Sequence, residues 1–234
     1  MATKKAPRRK NGRVAEKDTP KLPVRLKTAR QSGTEEHTPR RGTVTRKTRE
    51  TEVSVALELD GQGRSSIDTG LPFFDHVLES LAKHSLIDLR VKARGDLEVD
   101  PHHTVEDVGL CIGRALVEAV GNREGMIRFG QSAIPFDEAL IRCHVDLGGR
   151  SSFVYRVDIP AGRVGSFDVE LAEVFFSALA QEGRMNLHLI TEYGNNRHHL
   201  IEGCFKACAR ALEQAVVIDP KRHSMIPSTK GHID

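Results

Sequence analysis

The sequence predicts an α+β fold of two repeated half-domains, each a small, mostly antiparallel sheet backed by two helices, with the helices packed between the two sheets. Strand-like alternation precedes helical spacing in the first half, and the helical pattern recurs 96 to 98 residues further on. No apolar run approaches the roughly 18 residues of a membrane span, so no membrane partner is expected. Two units of this kind are expected to pair their helices and leave a sheet on each outer side.

The elements of the first half follow from local patterns. Apolar residues alternate with polar or small ones at Val53, Val55, Leu57 and Leu59, which predicts a half-buried strand. The Asp60–Gly63 segment has the composition of a tight turn, so a second strand should follow it.

Three further elements complete this half. Residues 73–81 carry apolar side chains at helical spacing, residues 86–91 are predicted to form a strand, and residues 103–120 to form a long helix. The predicted unit is therefore strand-strand-helix-strand-helix.

The elements of the second half are predicted from a long internal repeat. Residues 75–91 align with residues 173–189 at an offset of 98, and residues 102–120 align with residues 198–216 at an offset of 96. Both copies keep their apolar positions and a His-His-x-x-Glu cluster, which indicates a duplicated structural unit. The sequence Gly-Arg-Ser-Ser also occurs twice, at 63–66 and 149–152.

Charge and composition divide the chain into segments. Residues 1–42 carry 13 Lys and Arg against 4 Asp and Glu, whereas the remainder carries 22 against 28. Almost no large apolar residue occurs in 1–42, which predicts a disordered basic extension. A transit peptide or a nucleic-acid-binding tail is a weaker interpretation, and no nucleic-acid partner is expected. Residues 43–121 and 122–217 are the predicted halves of one domain, and residues 218–234 form a C-terminal tail whose Ser-x-Lys-Gly loop suits an anion such as phosphate.

The four cysteines favour a reducing compartment. Cys111, Cys143, Cys204 and Cys208 all lie in apolar patterns, which predicts buried, reduced thiols. A cytoplasmic location is expected.

The two His-His-x-x-Glu clusters predict a metal centre. They comprise His102, His103 and Glu106 in the first copy and His198, His199 and Glu202 in the second. On a helix, each histidine can converge with the glutamate three or four residues later, but adjacent histidines diverge by about 100°. Each pair should therefore serve two different metal sites, shared between neighbouring subunits. Imidazole and carboxylate without thiolate favour Mn, Fe, Zn or Co. His76, alone on a mostly apolar helix, is a core residue more often than a ligand.

A second set of residues suits an anion. Arginine offers a planar fork to phosphate, lysine a point charge, and a Ser-x-Lys-Gly loop adds a hydroxyl and free backbone amides. The candidates are Arg128, Arg150, Lys206, Ser228 and Lys230. Their spacing alone does not indicate that they converge.

These motifs together resemble a known family. The stretches TGLPFFDHVL, DPHHTVEDVG, HHLIEGCFKACARAL and PSTKG are similar to the signature stretches of imidazoleglycerol-phosphate dehydratase, and the resemblance runs from about Thr43 to Gly231. It implies a metal-dependent hydro-lyase of histidine biosynthesis that converts D-erythro-imidazoleglycerol phosphate to imidazoleacetol phosphate. It also implies a homo-oligomeric shell of 24 subunits built from trimers, with two Mn(II) per active site held between subunits.

The resemblance assigns roles to individual residues. The metal ligands that it implies are His76, His102, His103, Glu106, His198, His199 and Glu202. It places Glu50 near the reacting carbons and gives phosphate binding to Arg128, Arg150, Lys206, Ser228 and Lys230.

The chain also departs from the family pattern. Val174 stands where many members have a histidine or an acid as a further ligand; Pro101, Ser80 and His232 also differ. The alternative hypothesis is therefore a catalytically impaired metal-binding shell protein of the same fold.

Overall fold

A computed structural model describes residues 1–2, 38–222 and 224–233 of the chain. Residues 3–37, most of the predicted basic extension, lie outside the described residues, as do His223 and Asp234. Thr38–Asp234 forms one compact unit. No helix in the described ranges is long and apolar enough to cross a membrane.

The predicted alternation of the first half forms a buried strand face. Val53, Val55 and Leu57 are almost fully buried, while the residues between them are exposed or half-buried. The elements of this half are β1 (Arg41–Lys47), β2 (Thr51–Glu58), β3 (Ser65–Asp68), α1 (Pro72–Ser85), β4 (Asp88–Gly95) and α2 (His102–Val120).

The second half repeats this order. Its elements are β5 (Phe129–Phe136), β6 (Ala139–Asp146), β7 (Ser152–Arg156), β8 (Arg163–Val164), β9 (Phe167–Asp168), α3 (Leu171–Glu182), β10 (Asn186–Tyr193) and α4 (Arg197–Ala215). A short 3-10 helix, Pro220–Arg222, follows α4. The β8–β9 hairpin is an insertion that the first half does not share within its described elements.

The two sheets have equivalent topology. Their strand orders are β1-β2-β4-β3 and β5-β6-β10-β7. In both sheets the first two pairings are antiparallel and the last is parallel. The predicted α+β class with mostly antiparallel sheets is thus confirmed.

The predicted repeat unit was wrong by one strand. β1 and β5 precede the strand that begins each predicted unit, and β1 starts at Arg41, inside the segment assigned to the basic extension. β1 is an edge strand whose residues are mostly exposed or half-buried. Such a strand has no run of alternating large apolar residues, so periodicity does not reveal it.

The helices form the layer between the sheets and bring the two halves together crosswise. α1 packs against α4, and α2 packs against α3, while α2 and α4 also cover their own sheets. Glycine permits the close approach of α2 and α3: a Cβ added at Gly109 would lie 2.7 Å from the Phe175 carbonyl oxygen. Each ligand-bearing helix therefore lies beside the first helix of the other half.

The cysteines lie inside this core. All four are buried and free of disulfides, as their apolar surroundings predicted. Cys204 and Cys208, one turn apart on α4, are both fully buried.

Candidate metal centre and active site

Both histidine pairs lie at helix starts held by side-chain acceptors. Asn196 Oδ1 accepts hydrogen bonds from the backbone of His198 and His199, at 2.9 and 3.3 Å, and Asp100 Oδ1 accepts one from His102 N at 2.7 Å. The ring centroids of His102 and His103 lie 6.1 Å apart with an interplanar angle of 82°. The corresponding values for the second pair are 6.1 Å and 81°. The ring planes of the adjacent imidazoles are thus nearly perpendicular in both pairs.

One metal-like cluster is complete within the described part of a single chain. The ligand atoms of His76, His198 and Glu202 all lie within 4.8 Å of one another. Glu202 Oε2 is 3.1 Å from His76 Nε2 and 2.9 Å from His198 Nε2. His76 reaches this position because α1 packs on α4, and its side chain is 51% exposed rather than a core residue. Two imidazoles and a carboxylate without thiol fit a divalent transition metal.

The carboxylate of this cluster is held in its charged form. Glu202 is buried, which by itself raises the pKa of its carboxyl group. Hydrogen bonds from Lys206 and His76 outweigh burial and lower the pKa to about 2. Lys206 Nζ lies 2.9 Å from Glu202 Oε1 and 3.7 Å from the centroid of the Phe136 ring. An anionic carboxylate is the form that binds a metal.

The repeat places an equivalent but incomplete cluster between α2 and α3. His102, Glu106, Glu170, Glu173 and Val174 line one groove there. Val174 occupies the position that His76 occupies in the other half. Among the residues that the structure describes, no further group of three His, Cys, Asp or Glu ligand atoms is as close together. This half-site therefore has a histidine and acids along a groove, without a third convergent ligand.

The second histidine of each pair contacts a carboxylate instead of the cluster. His103 Nδ1 is 3.0 Å from Asp96 Oδ2, and His199 Nδ1 is 2.6 Å from Glu138 Oε2. The hydrogen bond to Asp96 raises the pKa of His103, and the hydrogen bond to His199 lowers the pKa of Glu138 to about 2. His199 Nε2 also lies 3.4 Å from Asp137 Oδ2.

Sequence reasoning missed both of these carboxylates. Glu138 could have been found from the repeat, because it lies 88 residues after Glu50 and directly precedes β6 as Glu50 precedes β2. Asp96 has no such signal, since Gly194 occupies its repeat position at the offset of 98.

Glu50 lies at the turn between β1 and β2 beside this network. Its backbone N–H donates to Thr48 Oγ1 at 3.1 Å, and its carbonyl accepts from Asp96 N–H at 3.1 Å. The side chain is exposed, and within the described ranges no hydrogen bond to its carboxylate is formed. The backbone of Glu50 is thus fixed while its carboxylate stays available.

The predicted anion-binding residues fall into two groups. Arg128 donates to Asp146 at 2.6 and 3.0 Å and to the Pro227 carbonyl at 2.8 Å, which ties it to the C-terminal loop. In that loop, Lys230 N donates to Ser228 Oγ at 3.2 Å.

The remaining two cations lie on other elements of the chain. Arg150 is exposed in the turn before β7. Lys206 belongs to the His76 cluster instead, through its ion pair with Glu202. Arg128 N–H contacts the Ala215 carbonyl at the end of α4, nine residues beyond Lys206 and about 13 Å along the helix axis.

Comparisons with known proteins identify the family of this chain. The family model of imidazoleglycerol-phosphate dehydratase matches residues 69–212. A protein of that name from Shouchella clausii is 53% identical over 188 residues, which cover 80% of this chain and 96% of the relative; one from Roseobacter denitrificans is 50% identical over the same shares.

Solved structures give the same assignment. The Staphylococcus aureus imidazoleglycerol-phosphate dehydratase has a TM-score of 0.70 and 35% identity, covering 76% of this chain and 99% of that one. The Pyrococcus furiosus structure has a TM-score of 0.70 and 32% identity, covering 81% and 100%. The chain therefore belongs to the imidazoleglycerol-phosphate dehydratase family and is a hydro-lyase of histidine biosynthesis.

Proposed function

We propose that this chain removes water from D-erythro-imidazoleglycerol phosphate to give imidazoleacetol phosphate, in a metal-dependent reaction. The observation that carries the metal dependence is the His76, His198 and Glu202 cluster, in which two Nε2 atoms face one carboxylate oxygen. Its ligand types, its charged carboxylate and its half-exposed position suit a substrate-accessible metal.

The proposed cofactor is two Mn(II) per active site. The ligands that would hold them are His76, His102, His103, Glu106, His198, His199 and Glu202. When bound, the ions supply Lewis-acid chemistry and a template for the imidazole ring of the substrate. The carboxylate and imidazole set, without cysteine, is consistent with manganese.

The active site is proposed to be shared between subunits of a 24-subunit shell built from trimers. In the second pair His198 contacts Glu202, whereas His199 contacts Glu138 outside the His76 cluster. A neighbouring chain would receive the histidines that lie outside that cluster. Light scattering with and without chelator tests this sharing: metal removal should convert the large particle to trimers or smaller species. A monomer under both conditions would refute it.

Glu50 is the proposed proton-transfer group. The reaction takes a proton from the carbon next to the one that loses hydroxide, and the resulting enol becomes a ketone when a proton returns to carbon. A carboxylate with a fixed backbone, and with no hydrogen-bond partner among the residues that the structure describes, can accept and return protons. The neighbouring Asp96 is committed to His103 and cannot take this role.

The substrate phosphate is proposed to bind Arg128, Arg150, Lys206, Ser228 and Lys230. The contact of Arg128 with Pro227 orients the loop that carries Ser228 and Lys230. Binding energy at the phosphate would orient the ring and the reacting carbons.

A dehydration assay with added Mn(II), run beside metal analysis of the purified protein, tests the proposal. We expect turnover that chelator abolishes and Mn(II) restores. The second candidate, a metal-binding shell protein without efficient catalysis, is favoured by Val174 in the α2–α3 groove. Full metal occupancy without turnover of the substrate would support that candidate and contradict the first.

A further inference from the structure

Two carboxylates occupy equivalent positions in the two halves but have different surroundings. Glu50 and Glu138 lie 88 residues apart, each directly before the second strand of its sheet. The Glu138 carboxylate is held by His199 Nδ1 at 2.6 Å and by the backbone N–H of Asn196 at 2.9 Å. The Glu50 carboxylate has no hydrogen bond in the described part of the chain, and Asp96 contacts His103 in its place.

A carboxylate that contacts Nδ1 fixes which ring nitrogen carries the proton and how the ring is oriented. An ionised carboxylate only accepts hydrogen bonds, so the contacting Nδ1 must carry the proton. In a neutral ring the lone pair then lies on Nε2, and the hydrogen bond also fixes the plane of the ring. His199 Nδ1 and His103 Nδ1 are both committed in this way.

We propose that Glu138 and Asp96 are positioning residues, which hold His199 and His103 with Nε2 ready to bind a metal outside the chain's own cluster. The proposal rests on the metal role proposed above. It also accounts for the different surroundings of the two turn glutamates. In the second half the turn carboxylate orients the histidine, whereas in the first half Asp96 does so and Glu50 remains free for proton transfer.

Asp137 provides a test of specificity, because it approaches the same ring from the other side. Its carboxylate lies 3.4 Å from His199 Nε2 and its side chain is 68% exposed. This contact is longer than that of Glu138 and engages the nitrogen that a metal would need. Asp137 has a φ of 48°, a conformation that asparagine also adopts readily. Asp137→Asn is therefore a matched control that removes the charge without straining the turn.

The experiment measures Mn(II) affinity of the assembled full chain by calorimetry, and the visible absorption of the Co(II) form. Removing a carboxylate that orients a metal-bound histidine typically weakens metal affinity by about 10- to 100-fold. We expect a loss of that size for Glu138→Ala, with an altered Co(II) spectrum. Glu138→Gln should lose less, because its amide oxygen still accepts from Nδ1. Asp137→Asn should stay within about twofold of wild type.

Four outcomes would overturn the inference. Wild-type affinity and spectrum in Glu138→Ala would show that Glu138 does not orient the ligand. An equal loss in Asp137→Asn would show that general negative charge, not the Nδ1 contact, is responsible. If Glu138→Ala fails to assemble, Asp96→Ala decides, because it removes the acceptor from His103 Nδ1, and wild-type affinity and spectrum in that variant would refute the proposal. A wild-type chain that binds no Mn(II) would overturn the proposed metal role as well.

Discussion

The α1–α4 and α2–α3 half-sites are built on equivalent helices, yet only the first brings three ligands together. In the first, His76 joins His198 and Glu202 within 4.8 Å. In the second, Val174 takes the equivalent position, and His102 and Glu106 line a groove with other acids. The two halves therefore share a backbone arrangement, and the side chain at one position, His76 or Val174, distinguishes the helix pair with three convergent ligands from the pair without them.

The turns that follow β2 and β6 also differ between the two halves in a single side chain. Arg64 and Arg150 both follow the second strand of their sheets, in the repeated Gly-Arg-Ser-Ser sequence. Arg64 pairs with Asp88 at 2.6 Å, but Asn186 occupies the position of Asp88 in the second half. Arg150 therefore lacks the carboxylate that neutralises its counterpart. Of the two arginines, Arg64 forms an ion pair within the fold, whereas Arg150 is left available for a ligand.

Substitution of the turn carboxylate of Glu50 should reduce turnover more than any other change proposed here. Glu50→Gln keeps the size of the side chain and removes its ability to transfer protons. We expect kcat to fall by about a hundredfold or more, in the range of general acid–base catalysis. Metal content and particle size should not change, since the backbone contacts of Glu50 remain. Steady-state kinetics with metal analysis measure this, and near wild-type kcat would assign proton transfer to another group.

The next effect concerns the incomplete half-site. The site that includes the α2–α3 ligands should bind Mn(II) more weakly than the other and should empty first on dialysis. Val174→His restores the imidazole that the repeat predicts, and we expect the weaker affinity to rise by about tenfold. Calorimetric titration of both proteins measures the two affinities. Two equal, tight sites in the wild type would show that position 174 is not part of the coordination shell here.

Substitutions of the two turn arginines, Arg150 and Arg64, should differ in their effect on KM. Arg150→Ala is expected to raise KM by about tenfold with metal content intact, because a charged hydrogen bond to phosphate is lost. Lys230→Ala should act in the same direction. Arg64→Ala is the control: its side chain is 72% exposed and its ion pair contributes little. An equal rise in KM for both arginines would contradict the proposed role of Arg150.

Much of the fold and the site could be predicted from sequence. Helical spacing and the repeat located the four main helices, because buried faces of helices require regular apolar positions. The edge strand β1 escaped detection, since its residues are mostly exposed or half-buried. The His-His-x-x-Glu spacing predicted from helix geometry that adjacent histidines do not converge on one ion, and in the second pair His198 contacts Glu202 while His199 contacts Glu138.

Contacts between elements could not be predicted in the same way. Nothing in the spacing shows that His76 meets the second cluster rather than the first, because this depends on the crosswise packing of α1 on α4. The contact of Arg128 with the Pro227 carbonyl likewise depends on where the C-terminal loop lies in the fold. Such long-range contacts are set by tertiary packing, which local patterns do not record.

The last prediction concerns Arg64, the turn arginine that forms an ion pair within the fold, and its effect should be small. Asp88→Asn replaces the carboxylate partner of Arg64 with the residue type that Asn186 provides in the second half. Asp88 accepts backbone hydrogen bonds from Gln62 and Arg64, at 2.8 and 2.9 Å, as well as the Arg64 side chain. Burial by itself raises the pKa of Asp88, but these hydrogen bonds outweigh it and lower the pKa to about 2 from a usual 3.8. Because the folded pKa is depressed, the stabilisation is present above the unfolded pKa and is lost as pH falls through the folded one.

Asp88→Asn should therefore lower the free energy of unfolding by about 1–2 kcal/mol at pH 7. The difference in the free energy of unfolding between Asp88→Asn and wild type should shrink between pH 4 and pH 2, because the Asp88 carboxylate of the wild type takes up a proton in this range. Thermal unfolding midpoints of both proteins at pH 7 and at pH 3 measure this, while KM at pH 7 should not change. A difference that stays constant with pH would mean that Asp88 stabilises the turn through its shape rather than its charge. In that case the neutral Asn186 would not be the reason that Arg150 is available for a ligand.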